Sequence, residues 1–162
     1  MRRILILFAV AILAISGCAD KVDIEAERAK VQSVFDQFVQ ANETVDIELL
    51  SKIFAHDADM VNFGLTSAAH YIGWEAYKEY MIEASESVDD VHISSRNQVI
   101  KVHASGNVAW ISLIFDENLV AQGEQFSVEG ARFTAVLEKR NDNWVFVQFH
   151  SSVPIASQVV EN

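Results

Sequence analysis

The chain has 162 residues, enough for one domain with a core of its own and too few for two of ordinary size. Its 23 acidic residues against 12 basic ones give a formal net charge of −11, which argues against nucleic acid or an anionic lipid surface as the main partner. A single cysteine excludes a disulfide within the chain.

Arg2 and Arg3 precede the apolar run Ile4 to Ile15, followed by Ser16, Gly17 and Cys18. A membrane span needs about 20 apolar residues, so the run suits a cleaved signal segment instead, residues 1–17. Ile15-Ser16-Gly17-Cys18 resembles a bacterial lipobox, in which the cysteine is lipidated and becomes the first residue of the mature chain. Cys18 is therefore the expected lipidation site, and its thiol is discounted as a nucleophile or metal ligand. Residues 18–26 are read as the lipidated N-terminus and a charged tether. Ala19 rather than aspartate follows the cysteine, which in enteric-type sorting implies the outer membrane, facing the periplasm.

From Asp20 to about Asn42, apolar Ile24, Val31, Val34, Phe35, Phe38 and Val39 recur at helical spacing. Asp46 is a suitable N-cap for a short second helix, Ile47 to Ala55, and a short strand is expected over Ala58 to Phe63. Gly64 to Gly73 reads as a loop carrying His70 and Tyr71, and Trp74 to about Ser87 as a third helix. Four long strands follow: Val91 to His103, Val108 to about Ala121, Gln125 to Lys139, and Trp144 to Val153. Turn formers separate them, and Pro154 ends the last. Residues 27–154 form the expected domain and 155–162 a tail.

The last two strands read as a long hairpin around Asn141-Asp142-Asn143, with both faces largely apolar. Alternation puts Phe133, Ala135, Leu137, Val147, Phe149 and Ser151 on one face. Arg132, Thr134, Val136, Trp144, Phe146, Gln148 and His150 fall on the other. A three-residue loop sets Arg132 opposite His150, and a two-residue loop sets Phe133 there.

Arg-x-Thr, an apolar run, a polar turn, Trp144 and then V-F-V-Q-F-H-S-S-V-P resemble the last two strands of the nuclear transport factor 2-like superfamily. The likeness is strongest to SnoaL-like proteins and to the association domain of calcium/calmodulin-dependent protein kinase II. The resemblance implies an α+β fold: a cone-shaped, curved antiparallel sheet packed on about three N-terminal helices. It fixes the fold better than the activity, since the superfamily hosts isomerases, dehydratases, cyclases, binding modules and assembly domains. In its ketosteroid isomerases the first strand carries an aspartate base, and Asn62 stands in that place here. An amide has no basic form at physiological pH, which disfavours that chemistry. The arginines of the kinase association domain's anion site are replaced by Ala135 and Ser151, with Lys101 at a histidine position.

The implied pocket is lined by Trp110, Ile114, Asp116, Phe133, Ala135, Leu137, Phe149 and Ser151, mostly apolar with few polar groups, as small-molecule sites are. Asp116, with a pKa raised on such a wall, and His70 are the candidate acid-base groups. Arg132, Thr134, Gln148 and His150 are expected on the opposite face, at a homodimer interface. The histidines have no zinc-ligand spacing, and neither a metal nor a cofactor is called for. The favoured reading is a lipid-anchored SnoaL-like domain that binds a small apolar or amphipathic molecule without catalysis. The alternatives are an isomerase, dehydratase or cyclase using an Asp or His, and a self-assembly module.

Overall fold

A computed structural model describes residues 21–66 and 68–154. Cys18, residues 1–17 expected as a signal segment, and the tail 155–162 lie outside the described residues. Asp23 caps the first helix, α1 (Ile24–Glu43), its side chain accepting from the backbone N–H groups of Glu25 and Ala26. Asp46 does the same for α2 (Ile47–Ile53) through the Leu49 N–H at 2.9 Å. The helical face of α1 that buries Val31, Phe35, Phe38 and Ala41 follows the three-and-four spacing of the sequence.

Between α2 and α3 (Trp74–Ser87) lie two three-residue strands, β1 (Val61–Phe63) and β2 (His70–Ile72). The second of these falls inside the stretch expected to be loop, because three residues carry too little alternation to register as a strand. Gly73 has φ of 84°, and a side chain there would press on the Ala58 carbonyl at 3.1 Å, so this turn into α3 requires glycine.

The chain then runs through β3 (Val88–Val102), β4 (Val108–Ala121), β5 (Glu124–Arg140) and β6 (Asn143–Ser152). The sheet order is β2-β1-β6-β5-β4-β3. All neighbours are antiparallel except β1 and β6, which run parallel, so the sheet is mixed rather than wholly antiparallel as expected. It is curved and does not close.

Bulges decide which residues face inward. At the hairpin tip, Asn141 and Asp142 both have positive φ and Arg140 pairs with Asn143, a two-residue turn. The register then slips at Val147, so Leu137 faces Phe146 but Val136 faces Gln148, and Thr134 sits opposite His150. That bulge turns Trp144 and Phe146 into the core, where both are at most 3 % exposed. The expected placement of these two beside Gln148 and His150 is thereby corrected: unbroken alternation does not survive one extra residue. A second bulge lies on β5 at Glu129 and Gly130, opposite Asp116. A third is at Asn97 and Gln98 in the edge strand β3.

The helices pack on the inner face of the sheet. Phe38 sits among the rings of Phe35, Phe54, Phe133, Phe146 and Phe149, with centroids 5.2–6.2 Å apart. Glu27 ties α1 to the hairpin: its carboxylate accepts from Lys30 Nζ at 2.8 Å, Lys139 Nζ at 2.9 Å and Trp144 Nε1 at 2.8 Å. At the other end of α1, Glu43 Oε1 accepts the Ile93 N–H of β3 at 2.8 Å.

Candidate functional site

The sheet separates the residues expected to share one wall. Pairing of Trp110 with Val136 and of Ile114 with Arg132 turns Trp110, Ile114 and Asp116 to the outer face. Phe133, Ala135, Leu137, Phe149 and Ser151 face inward and are buried. Phe133 and Phe149 lie 5.4 Å and 5.8 Å from Phe38, so the apolar inner wall is packed with rings where a cavity was expected. Both faces of the hairpin are apolar, and a pairing offset by one residue exchanges them; the sequence alone therefore did not settle which wall Trp110 joins.

Asp116 does not match the expected acid-base group. Its Oδ1 accepts the Gly130 N–H at 2.7 Å, and its other oxygen pairs with Arg96. The backbone N–H first, and then the guanidinium, lower its pKa, the reverse of the expected rise. Asp116 thus caps the β5 bulge. Lys101 pairs with Trp110 on the outer face, away from Ala135 and Ser151.

Asn62 is wholly buried. Its Oδ1 accepts the Phe149 N–H at 3.3 Å, which fixes the orientation of the amide, and its Nδ2 has no partner. Beside it in the sheet is Tyr71, whose ring stacks on Tyr80 with centroids 4.6 Å apart. Burial, and then Tyr80, push the Tyr71 pKa up to about 12. Glu117, one residue beyond Asp116, faces inward opposite Val128, and burial raises its pKa; burial first, and then the Glu117 charge, raise that of Tyr80. Neither Glu117 nor Tyr80 was singled out from the sequence. Alternation counted along β4 from Ile111 through Phe115 would have put Glu117 on the inner side.

An open cleft of about 460 Å³ lies where β1, β2 and β6 end, bounded by Phe63, Leu65, Thr66, Ala69, His70, His150, Ser151 and Val153. Phe63 holds the two histidines apart, stacking on His70 at 4.6 Å and meeting His150 edge-on at 5.7 Å. The structure thus brings together His70, His150 and Ser151, which the sequence had assigned to three different roles. Arg132, Thr134, Gln148 and His150 are all exposed on the outer face, as the alternation implied. Cross-strand pairing there builds a row of Lys101, Trp110, Val136, Gln148, Val61 and Ile72. Among the described residues, no three His, Cys, Asp or Glu side chains converge as metal ligands would.

Three helices against a curved, unclosed six-stranded sheet define a nuclear transport factor 2-like fold. Residues 31–156 match the sequence model of the SnoaL-like domain, and the chain belongs to that family. A nuclear transport factor 2-like superfamily protein from Salmonella enterica serovar Typhimurium superposes with a TM-score of 0.74 at 18 % identity, over 85 % of this chain and 98 % of its own. A provisionally assigned calcium/calmodulin-dependent protein kinase II association domain from Xanthomonas campestris gives 0.68 at 21 % identity, over 85 % and 96 %. A provisionally assigned dehydratase from Streptomyces avermitilis gives 0.70 at 14 % identity, over 82 % and 99 %. No curated protein matches the sequence.

Proposed function

We propose that this chain is a lipid-anchored SnoaL-like module that binds a small amphipathic molecule, without chemistry, in the cleft where β1, β2 and β6 end. The observation that carries the reading is the cleft itself. Its volume of about 460 Å³ falls within the roughly 300–1,000 Å³ of small-molecule sites, and its lining mixes Phe63, Leu65 and Ala69 with His70, His150 and Ser151. Absence of catalysis is supported by Asn62, an amide without a basic form, and by Asp116, which is committed to the Gly130 bulge and Arg96.

Anchoring rests on the Ile15–Cys18 motif. Cys18→Ser should release the protein from membranes; equal incorporation of labelled palmitate by wild type and variant would sink the anchor. The outer membrane, facing the periplasm, is the proposed location. Dimerisation through the outer face is proposed on the row containing Trp110, Val136 and Ile72, with Trp110 at 43 % and Ile72 at 58 % exposure.

The test of binding is mass spectrometry of small molecules extracted from purified wild type and from Thr66→Trp, which puts an indole into the cleft from its exposed rim. A molecule present in the first extract and lost from the second supports the reading. Extracts that do not differ overturn it.

A second reading, acid-base catalysis, is favoured by one observation: the desolvated Glu117 carboxyl beside Tyr80 and its stacked partner Tyr71. The dehydratase assignment of the Streptomyces relative gives it a precedent. Under it, Glu117→Gln should lower turnover of an isomerase- or dehydratase-type substrate by about 10²-fold or more, while Thr66→Trp should not.

A further inference from the structure

We infer that the lipidated N-terminus holds the hairpin-turn end of the cone against the bilayer and turns the cleft-bearing end away from it. This rests on the anchored reading above. The chain is pinned to one end of the domain almost as soon as it enters the described residues. Val22 packs on the turn between β3 and β4, so closely that a Cβ on Gly106 would lie 2.5 Å from Val22 Cγ1. Five residues on, Glu27 fixes the start of α1 to Lys139 and Trp144, which flank the turn between β5 and β6. The two turns are neighbours, since Lys139 donates its N–H to the Asn107 carbonyl at 2.8 Å.

Four peptide steps separate Cys18 from Val22, a reach of at most about 14 Å even when fully extended. The cleft lies at the opposite end. β6 starts beside the turn at Asn143 and reaches the cleft at His150, and β1 runs parallel to it into Phe63. The turn between β4 and β5 lies further along the strands still: the 17 residues of β5 have a contour length of roughly 55 Å at about 3.3 Å each, shortened in space by its bulge and by the curvature of the sheet. A tether of about 14 Å fixed at one end of such a body keeps that end at the lipid surface. A molecule arriving from the aqueous side then meets the cleft before it meets the membrane.

The experiment uses the full lipidated chain in vesicles of phosphatidylethanolamine and phosphatidylglycerol that carry a headgroup nitroxide lipid. Because the chain has one cysteine, whose thiol is lipidated, Asn107→Cys and Glu124→Cys each offer a single free thiol for a fluorophore. Both positions are exposed. The label at 107 should be quenched severalfold more than the label at 124. A flexible Gly-Ser insertion between Asp20 and Lys21 should level the two. Protein that co-floats with the vesicles but shows equal quenching, or stronger quenching at 124, overturns the orientation and leaves the anchor standing. Protein that does not co-float overturns both.

Discussion

Glu27 offers the sharpest test of how α1 is held. Its carboxylate accepts three hydrogen bonds, and the Lys30 ammonium foremost, opposed by burial and aided by Lys139 and Trp144, lowers its pKa from 4.5 to about 2. At about 1.36 kcal/mol per pH unit, the full difference corresponds to a ceiling of about 3 kcal/mol at neutral pH. Lys30 is half in water, its side chain 54 % exposed, so solvent screening reduces this, and we expect Glu27→Gln to cost about 1.5 kcal/mol. Glutamine keeps the shape and an acceptor for the Trp144 indole, so the loss reports the charge. The sign follows from a depressed pKa: the contribution is complete above about pH 4.5 and is lost as pH falls toward 2. Urea melts of wild type and variant should therefore differ by about 1.5 kcal/mol at pH 7 and converge in acid. A difference below about 0.3 kcal/mol at pH 7, or one independent of pH, would refute the reasoning.

Asn62→Asp should destabilise the fold more as pH rises, because a buried carboxylate with one N–H donor has a raised pKa; the cost should be small near pH 4 and about 3 kcal/mol or more at pH 7, and a variant more stable at pH 7 than at pH 4 counts against this. Light scattering on the chain from Glu27 onward should give twice the chain mass, and Trp110→Asp should give a folded monomer by circular dichroism. Asp116→Ala should speed hydrogen exchange at Gly130 and its neighbours on β3 to β5 while leaving amides around Phe38 protected; unchanged exchange at the bulge would remove its capping role.

The helices were legible in the sequence because each announces itself twice, by an apolar stripe and by a cap or a glycine at its start. The four long strands were legible from their turn formers. What alternation could not supply was phase. A single extra residue at Val147 exchanges the faces of everything beyond it, which is why Trp144 and Phe146 lie in the core, the first against Glu27 and the second beside Phe38, while Gln148 and His150 do not. The same limit explains the choice of Asp116 over Glu117 as the titratable group. Both are carboxylates on one strand, and alternation separates them, the first outward to a bulge and the second inward to Tyr80, once cross-strand pairing has shown that Ile111, Leu113 and Phe115 are the residues that face the core. The cleft was illegible for another reason: its lining comes from β1, β2, the loop between them and the end of β6, and no local pattern joins segments some 80 residues apart.

The Glu43 contact with β3 has a consequence for how these molecules live beside one another. β3 is the last strand of an open sheet, and a bare row of N–H and C=O groups is a template on which another chain can add. Here the Glu43 carboxylate occupies the Ile93 N–H, and the Asn97–Gln98 bulge bends the strand out of register with any straight neighbour. A carboxylate borrowed from the helix thus leaves the edge one donor poorer as a template for a growing sheet, and on the membrane proposed for this chain, where molecules would meet edge to edge far more often than in solution, that protection would count for more.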